Sequence, residues 1–305
     1  MRDLILHHYE ASPFAEKLRL VLGFKQLAWR SVDIPAMLPK PDVVALTGGY
    51  RRTPVLQIGA DIYCDTSLMC ELLDRLVPDP PLYPGRGMQH LLAQWADTTL
   101  FWTAIPYTAQ RTAMPYLFAG ATPEFLKALA EDRFAMTKGT RRLSPADATA
   151  QLTSYLASLA ALLAPGQRFL LGDQPSIADF SVAHSVWFIR RVPPTAGVLA
   201  PFPQLIAWYE RIAAIGHGRH EAMTSSEAIA IAAAGGHAAT QVEPGLGFEA
   251  GAPITVTATD YATDEVAGTL VGLSAREVVL ERRDERAGTV HVHFPRIGYQ
   301  LKHAS

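Results

Sequence analysis

The sequence has 305 residues, of which 49% are hydrophobic and 18% charged, and this balance excludes a mainly disordered chain. The chain has 27 Lys and Arg residues and 29 Asp and Glu residues, which give a net charge of −2. It therefore lacks the excess of positive charge that would indicate a nucleic-acid partner. We expect no membrane partner, because there is neither a run of about 18 apolar residues nor a signal peptide. Two cysteines, Cys64 and Cys70, are too few for a disulfide framework and favour a reducing, cytoplasmic location.

The first part of the chain alternates between strand and helix patterns. Residues 4–6 predict a buried strand, and the spacing of apolar residues over 13–24 predicts a helix. Residues 28–34 alternate like a strand, and 53–76 contain two short strands joined by a tight turn, followed by a helix. This order predicts an α/β domain with a mixed sheet over residues 1–78.

A second, all-helical domain is predicted over residues 88–235, after a Pro- and Gly-rich linker at 77–87. Its first helix is expected to run unbroken from residue 87 to about 105, and Gly235 is expected to end its last helix. Capping residues precede four of the later helical patterns, namely Thr122, Ser144, Ser176 and Thr224.

Residues 240–305 differ from both preceding segments. They contain four short β-rich runs, separated by turns of Asp, Gly, Ser and Ala. This spacing predicts a small all-β domain, barrel-like or a sandwich, appended to the helical domain. We expect this domain to act as a lid or as a protein-interaction module.

Three motifs in order carry a resemblance to a known family: SPFAEKLRLVL at 12–22, YRRTPVLQIGADIYCDTSLM at 50–69, and SIADF at 176–180. Over about residues 3–235 the sequence resembles the glutathione transferase superfamily. The resemblance implies a thioredoxin-like N-terminal domain that binds glutathione, an all-helical C-terminal domain that binds the second substrate, and usually a homodimer. In this family Asp179 of SIADF is a folding element, so we do not assign it to catalysis.

Ser12 is the candidate catalytic residue. It precedes the helix that starts at Pro13, so its hydroxyl and free backbone N–H groups meet at one point. The resemblance to serine-type members implies that this hydroxyl stabilises the glutathione thiolate, and lowering a thiol pKa by one unit takes about 1.4 kcal/mol. Tyr9, at the end of the first strand, is the rival hydroxyl. The alternative for Ser12 is an N-cap that accepts a hydrogen bond from Ala15 N–H.

The resemblance also implies a set of glutathione-binding residues. Thr53 precedes Pro54, whose peptide bond is cis in this family, and would pair through its backbone with the cysteinyl part of glutathione. Asp65 and Thr66 stand where many members have Glu-Ser and would hold the γ-glutamyl end. Arg52 would meet the glycyl carboxylate, although a solvated surface arginine is the alternative. Phe14, just inside the first helix, is counted with this set.

An aromatic group on and after the first long helix indicates the pocket for the second substrate. Its members are Phe101, Trp102, Tyr107 and Tyr116. An aromatic cluster at helical spacing is also typical of a protein core, and that alternative stays open.

His291 and His293 lie on one face of a predicted strand, in a spacing that metal sites use. No third ligand stands at a suitable spacing, so we expect structural histidines and no metal.

The sequence therefore favours an enzyme that conjugates glutathione, as cosubstrate, to an electrophilic, largely apolar small molecule. Two alternatives stay open. One is a glutathione-dependent lyase, dehalogenase or isomerase that uses the same site. The other is a binding or scaffold protein that kept the fold without catalysis.

Overall fold

The computed structural model describes residues 3–85, 87–140, 142–163 and 166–304. The N-terminal part has the predicted thioredoxin-like architecture, in which β1 is parallel to β2 and antiparallel to β3, and β3 is antiparallel to β4. Its elements are β1 (Ile5–His8), α1 (Pro13–Phe24), β2 (Ala28–Asp33), α2 (Pro41–Thr47), β3 (Val55–Ile58), β4 (Asp61–Cys64) and α3 (Thr66–Leu76). Helix α2 was not predicted, because seven residues are too few to show a clear helical period.

The helical part follows the predicted linker. Its helices are α4 (Gly87–Trp95), α5 (Phe101–Thr108), α6 (Met114–Leu117), α7 (Pro123–Met136), α8 (Pro145–Leu162), α9 (Ile177–Arg190), α10 (Pro193–Ala196) and α11 (Pro203–Ala213). The caps at Thr122, Ser144 and Ser176 are confirmed. The long helix predicted over 87–105 is interrupted by a π-helical turn, Ala96–Leu100, between α4 and α5.

After α11 the chain returns to the thioredoxin-like sheet. Strand β5 (Arg219–Ala222) pairs in parallel with β2, and α12 (Ser225–Ala234) packs against α2 and β2. The predicted capping box of α12, Thr224 with Glu227, is present, and the helix ends at Gly235 as predicted. The helical part thus ends before β5, earlier than the predicted boundary at residue 235.

The tail is β-rich as predicted, but its strands do not close into a barrel appended to the helical domain. Its strands are β6 (Pro253–Ala258), β7 (Val266–Leu273), β8 (Glu277–Asp284), β9 (Gly288–Pro295) and β10 (Tyr299–His303). They extend the thioredoxin-like sheet to ten strands in the order β10-β6-β7-β8-β9-β4-β3-β1-β2-β5. The junction is a parallel pairing of β9 with β4, in which Asp61 lies opposite His291.

The tail and the thioredoxin-like part share one hydrophobic core. Val55 and Ile62 of the thioredoxin-like strands belong to the same buried cluster as Val278, Val292 and Phe294 of the tail. The sequence could not reveal this, because an alternating strand pattern shows which face is buried and not which strand lies alongside. The tail is therefore a structural extension of the N-terminal domain.

No helix in the described part of the chain is long and apolar enough to cross a membrane.

Candidate functional site

A cavity of about 770 Å³ lies where α3 begins, between the thioredoxin-like part, α4 and the tail. Six residues predicted from the sequence line it, namely Phe14, Arg52, Thr53, Pro54, Asp65 and Thr66. They come from three separate segments of the chain, and the fold brings them together around one space. The cavity is therefore the candidate glutathione site.

The Thr53–Pro54 peptide bond is cis, as the resemblance implies. Asp65 lines the same cavity and caps α3: its Oδ1 accepts hydrogen bonds from the backbone N–H of Ser67 at 2.9 Å and from the Ser67 hydroxyl at 2.8 Å. Asp65 has a φ of 72°, a left-handed conformation that is uncommon for residues other than glycine and concentrates at functional sites. The N-terminus of an 11-residue helix also favours a bound anion.

A buried charged group, missed by the sequence analysis, lies on the same cavity wall. Lys17 Nζ lies 2.6 Å from Asp97 Oδ2 and 3.4 Å from Thr66 Oγ1, and His184 Nε2 lies 3.1 Å from Asp97 Oδ1. Burial opposes the charge on Asp97, but Lys17 and His184 outweigh it and keep the pKa of this carboxyl below its usual value. The only signal in the sequence was a lysine within the apolar pattern of α1.

Ser12 caps α1 as predicted, and its Oγ accepts a hydrogen bond from Ala15 N–H at 3.2 Å. The residue is only 2% exposed and is not among the described residues that line the cavity, whereas Phe14, two positions further on, is. The rival hydroxyl, Tyr9 Oη, accepts a hydrogen bond from Arg133 at 3.3 Å and does not line the cavity either. Of the two candidate hydroxyl residues, Ser12 is closer in sequence than Tyr9 to Phe14, which lines the cavity.

The connection between β6 and β7, residues 259–265, enters the site from the tail, and we call it the Asp260 loop. Arg52 donates hydrogen bonds to the carboxylate of Asp260 and to the carbonyl oxygen of Tyr261. The Arg52 guanidinium also lies over the Tyr261 ring, 3.8 Å from its centroid. Sequence reasoning had no means of finding these partners, because they lie more than 200 residues from Arg52.

The same loop touches the helical part. The Tyr261 ring packs edge-on against Trp102 at 4.8 Å, and Ala262 N–H donates to the carbonyl oxygen of Met136 at 2.6 Å. Burial raises the pKa of Tyr261 to about 12, so its phenol is neutral at physiological pH. A second tail residue, Tyr299, donates from its hydroxyl to Asp65 Oδ2 at 3.1 Å. The tail thus contacts both Arg52 and Asp65.

The four predicted pocket aromatics are not among the described residues that line the cavity. Phe101 is buried beside Phe14, with ring centroids 4.6 Å apart, and Trp102 contacts the Asp260 loop. Tyr107 donates to the carbonyl oxygen of Thr195 at 2.9 Å, and Tyr116 is exposed. Phe101 and Trp102 therefore contact residues that line the cavity, namely Phe14 and Tyr261, whereas Tyr107 and Tyr116 lie elsewhere.

Both cysteines are buried and free. Burial raises the pKa of Cys70 to about 12 and the pKa of Cys64 well above its usual value. Neither thiol is ionised at neutral pH, so neither is a ready nucleophile.

The sequence matches the profile of the glutathione S-transferase N-terminal domain over residues 6–81 and that of the C-terminal domain over 115–211. A solved structure of a GST-like protein from Pseudomonas syringae is 40% identical, covers 100% of both chains and superposes with a TM-score of 0.81. The chain belongs to the glutathione S-transferase superfamily. Because the match covers the whole of both chains, it includes the tail.

Other matches cover only part of this chain. Glutathione S-transferase III in its apo form is 22% identical, with a TM-score of 0.53 over 70% of this chain and 92% of that one. A β-etherase from Sphingobium sp. strain SYK-6 is 17% identical, with a TM-score of 0.51 over 69% and 95%. Pyrimidodiazepine synthase from Drosophila melanogaster is 33% identical over 85 residues, which is 27% of this chain and 35% of that protein.

Proposed function

We propose that this protein is a glutathione transferase-like enzyme, in which the thiolate of bound glutathione attacks an electrophilic carbon of an apolar small molecule. The observation that carries the proposal is the convergence of Arg52, Thr53, Asp65 and Thr66 on one cavity beside the start of α3. Family membership supports the use of glutathione. The cytoplasmic location and the homodimer implied by the resemblance stay predictions.

In the proposed complex, the backbone of Thr53 pairs with the cysteinyl part of glutathione, as one strand pairs with another. Asp65 and Thr66, with the amides at the start of α3, hold the γ-glutamyl end, and Arg52 holds the glycyl carboxylate. Glutathione then has to compete with the tail residues that contact Arg52 and Asp65.

The proposed chemistry needs a stabilised thiolate. Ser12 Oγ accepts from Ala15 N–H and still has its own proton to donate, so capping and thiolate binding are compatible. A hydrogen bond to a charged group contributes about 1.5–3 kcal/mol, which corresponds to one or two units of thiol pKa. The thiolate sulfur forms a bond to the electrophilic carbon, and the leaving group departs with the electron pair.

One observation favours a second candidate function, a scaffold protein without catalysis. Two tail residues are hydrogen-bonded to Arg52 and Asp65, the side chains that would hold glutathione. Glutathione titrations separate the two. An absence of binding at millimolar glutathione supports the scaffold, and conjugation of an aryl halide supports the enzyme.

Replacing Ser12 by Ala is expected to raise the pKa of the bound glutathione thiol by one to two units, because the thiolate loses a hydrogen-bond donor. At a pH below the thiol pKa, kcat/KM should fall roughly 10- to 100-fold. The measurement is ultraviolet titration of the bound thiolate, together with conjugation of an aryl halide. Ser144→Ala is the matched control, since Ser144 caps α8 in the same way and does not line the cavity. An unchanged thiol pKa in the Ser12 variant would show that Ser12 is only a cap.

Asp260→Asn is expected to tighten glutathione binding about fivefold, because a partly exposed ion pair with Arg52 is worth about 1 kcal/mol. The measurement is calorimetric titration with glutathione. Asp264→Asn, on the same loop but 3.8 Å from Arg51, is the control and should leave the affinity unchanged. Weaker or equal binding by the Asp260 variant would mean that the Asp260 loop does not compete with glutathione for Arg52.

A further inference from the structure

Three distant segments of the chain meet at the end of the β4–β9 pair that lies away from the glutathione site. Asp61 is the first residue of β4, His291 lies opposite it on β9, and His237 follows α12. Asp61 lies about 13 Å along the strand from Asp65, so this cluster is separate from the cavity. Sequence spacing showed only one histidine pair here, His291 and His293.

The side chains of Asp61, His237 and His291 each offer one ligand-type atom, and the three atoms lie within 4.8 Å of one another. Asp61 is 2% and His291 7% exposed, whereas His237 is half-buried. The Nδ1 atoms of His237 and His291 are both buried without a hydrogen-bond partner. Buried polar atoms normally have a partner, and a cation held between these two ring nitrogens and the carboxylate would supply one.

The surrounding charges favour a cation. Asp61 accepts hydrogen bonds from Ala238 N–H at 2.7 Å and from His293 Nε2 at 3.1 Å, and His293 Nδ1 lies 2.7 Å from Glu277. Glu281 lies 3.6 Å from His291 Nε2. Three carboxylates, those of Asp61, Glu277 and Glu281, therefore lie beside the rings of His291 and His293.

A second histidine lies behind the Asp61 carboxylate, with His293 Nε2 3.1 Å from Asp61 Oδ1. His293 acts as an outer partner that orients the Asp61 ligand, as is common at metal centres.

The local backbone is built to bring His237 to this point. Gly235 at the end of α12 passes so close to the β3–β4 turn that a Cβ there would lie 2.8 Å from Ala60 N. Only glycine allows the chain to pass there and to place His237 beside Asp61. His237 then stacks on His291, with ring centroids 3.9 Å apart and an interplanar angle of 16°.

We propose that Asp61, His237 and His291 bind a divalent transition-metal ion of the zinc type, with water or another ligand in the fourth position. Two imidazoles and one carboxylate are a donor set that zinc prefers. Ligand atoms about 2.1 Å from a tetrahedral ion lie about 3.4 Å apart, so the cluster contracts and the His237 ring tilts out of the stack. A half-buried side chain such as that of His237 can make this movement.

The ion would tie the tail to the thioredoxin-like sheet, because its ligands come from β4, from the segment after α12, and from β9. This role is structural and independent of glutathione. Failure of the test below therefore leaves the proposed enzyme function untouched.

The test is calorimetric titration of untagged, full-length protein, first treated with a chelator, with ZnCl₂, and in parallel with Co²⁺ followed by its visible absorption. We expect one Zn²⁺ per chain and the intense absorption of tetrahedral cobalt. His237→Gln should weaken zinc binding at least about 10-fold and abolish that absorption. His303→Gln removes an exposed histidine of β10 and should bind like the wild type.

Circular dichroism of each variant shows whether it is folded, and the half-buried position of His237 makes its replacement a mild one. The proposal is overturned if the wild type binds no stoichiometric zinc. It is equally overturned if folded His237→Gln binds zinc as the wild type does, since the ion would then be held elsewhere.

Discussion

Phe294→Ala is expected to lower the free energy of unfolding of the whole protein by about 3–5 kcal/mol. Phe294 lies on β9, is 1% exposed, and packs its ring against Tyr50 at 5.7 Å and Tyr299 at 5.5 Å. Because Tyr50 precedes β3 and belongs to the same core, the cavity left by alanine lies between the tail and the thioredoxin-like part. Urea unfolding followed by circular dichroism and by tryptophan fluorescence measures this loss.

The matched control is Phe134→Ala on α7, where the side chain is 66% exposed and little change is expected. Both probes should report one shifted transition for Phe294→Ala. A separate early transition, with the main one unchanged, would mean that the tail unfolds as an independent module.

Asp179→Asn is expected to cost about 3 kcal/mol or more, because a buried carboxylate that accepts four hydrogen bonds loses acceptor capacity. Asp179 is fully buried and accepts from the backbone N–H of Leu170 at 2.9 Å, from the N–H and hydroxyl of Ser176 at 2.9 and 3.0 Å, and from Trp208 Nε1 at 2.8 Å. Asparagine offers one oxygen, so at least one of these donors is left unpaired. Thermal unfolding measures the loss.

Asp147→Asn on α8 is the control for the local capping effect. Asp147 occupies the same position relative to its cap, Ser144, as Asp179 does to Ser176, but it is exposed to solvent. Its replacement should cost less than about 1 kcal/mol. Equal losses in the two variants would show that only the capping box matters, and that the bonds to Leu170 and Trp208 contribute nothing.

Local chemistry explains what could be predicted from the sequence. The caps at Ser12, Ser176 and Thr224 and the hairpin around Gly59 depend on a few adjacent residues, so their patterns predict them directly. Thr53, Pro54, Asp65 and Thr66 of the cavity wall were predicted in the same way, because Thr53-Pro54 and Asp65-Thr66 are compact motifs.

The sequence by itself thus determined most local elements, the superfamily and six of the residues that line the cavity. Only the tertiary structure decided which sheet the tail joins, which partner Arg52 has in Asp260, and that His237 meets Asp61 and His291. The physical reason is that a strand's pattern specifies its buried face, whereas its neighbour is chosen by packing between segments up to 230 residues apart.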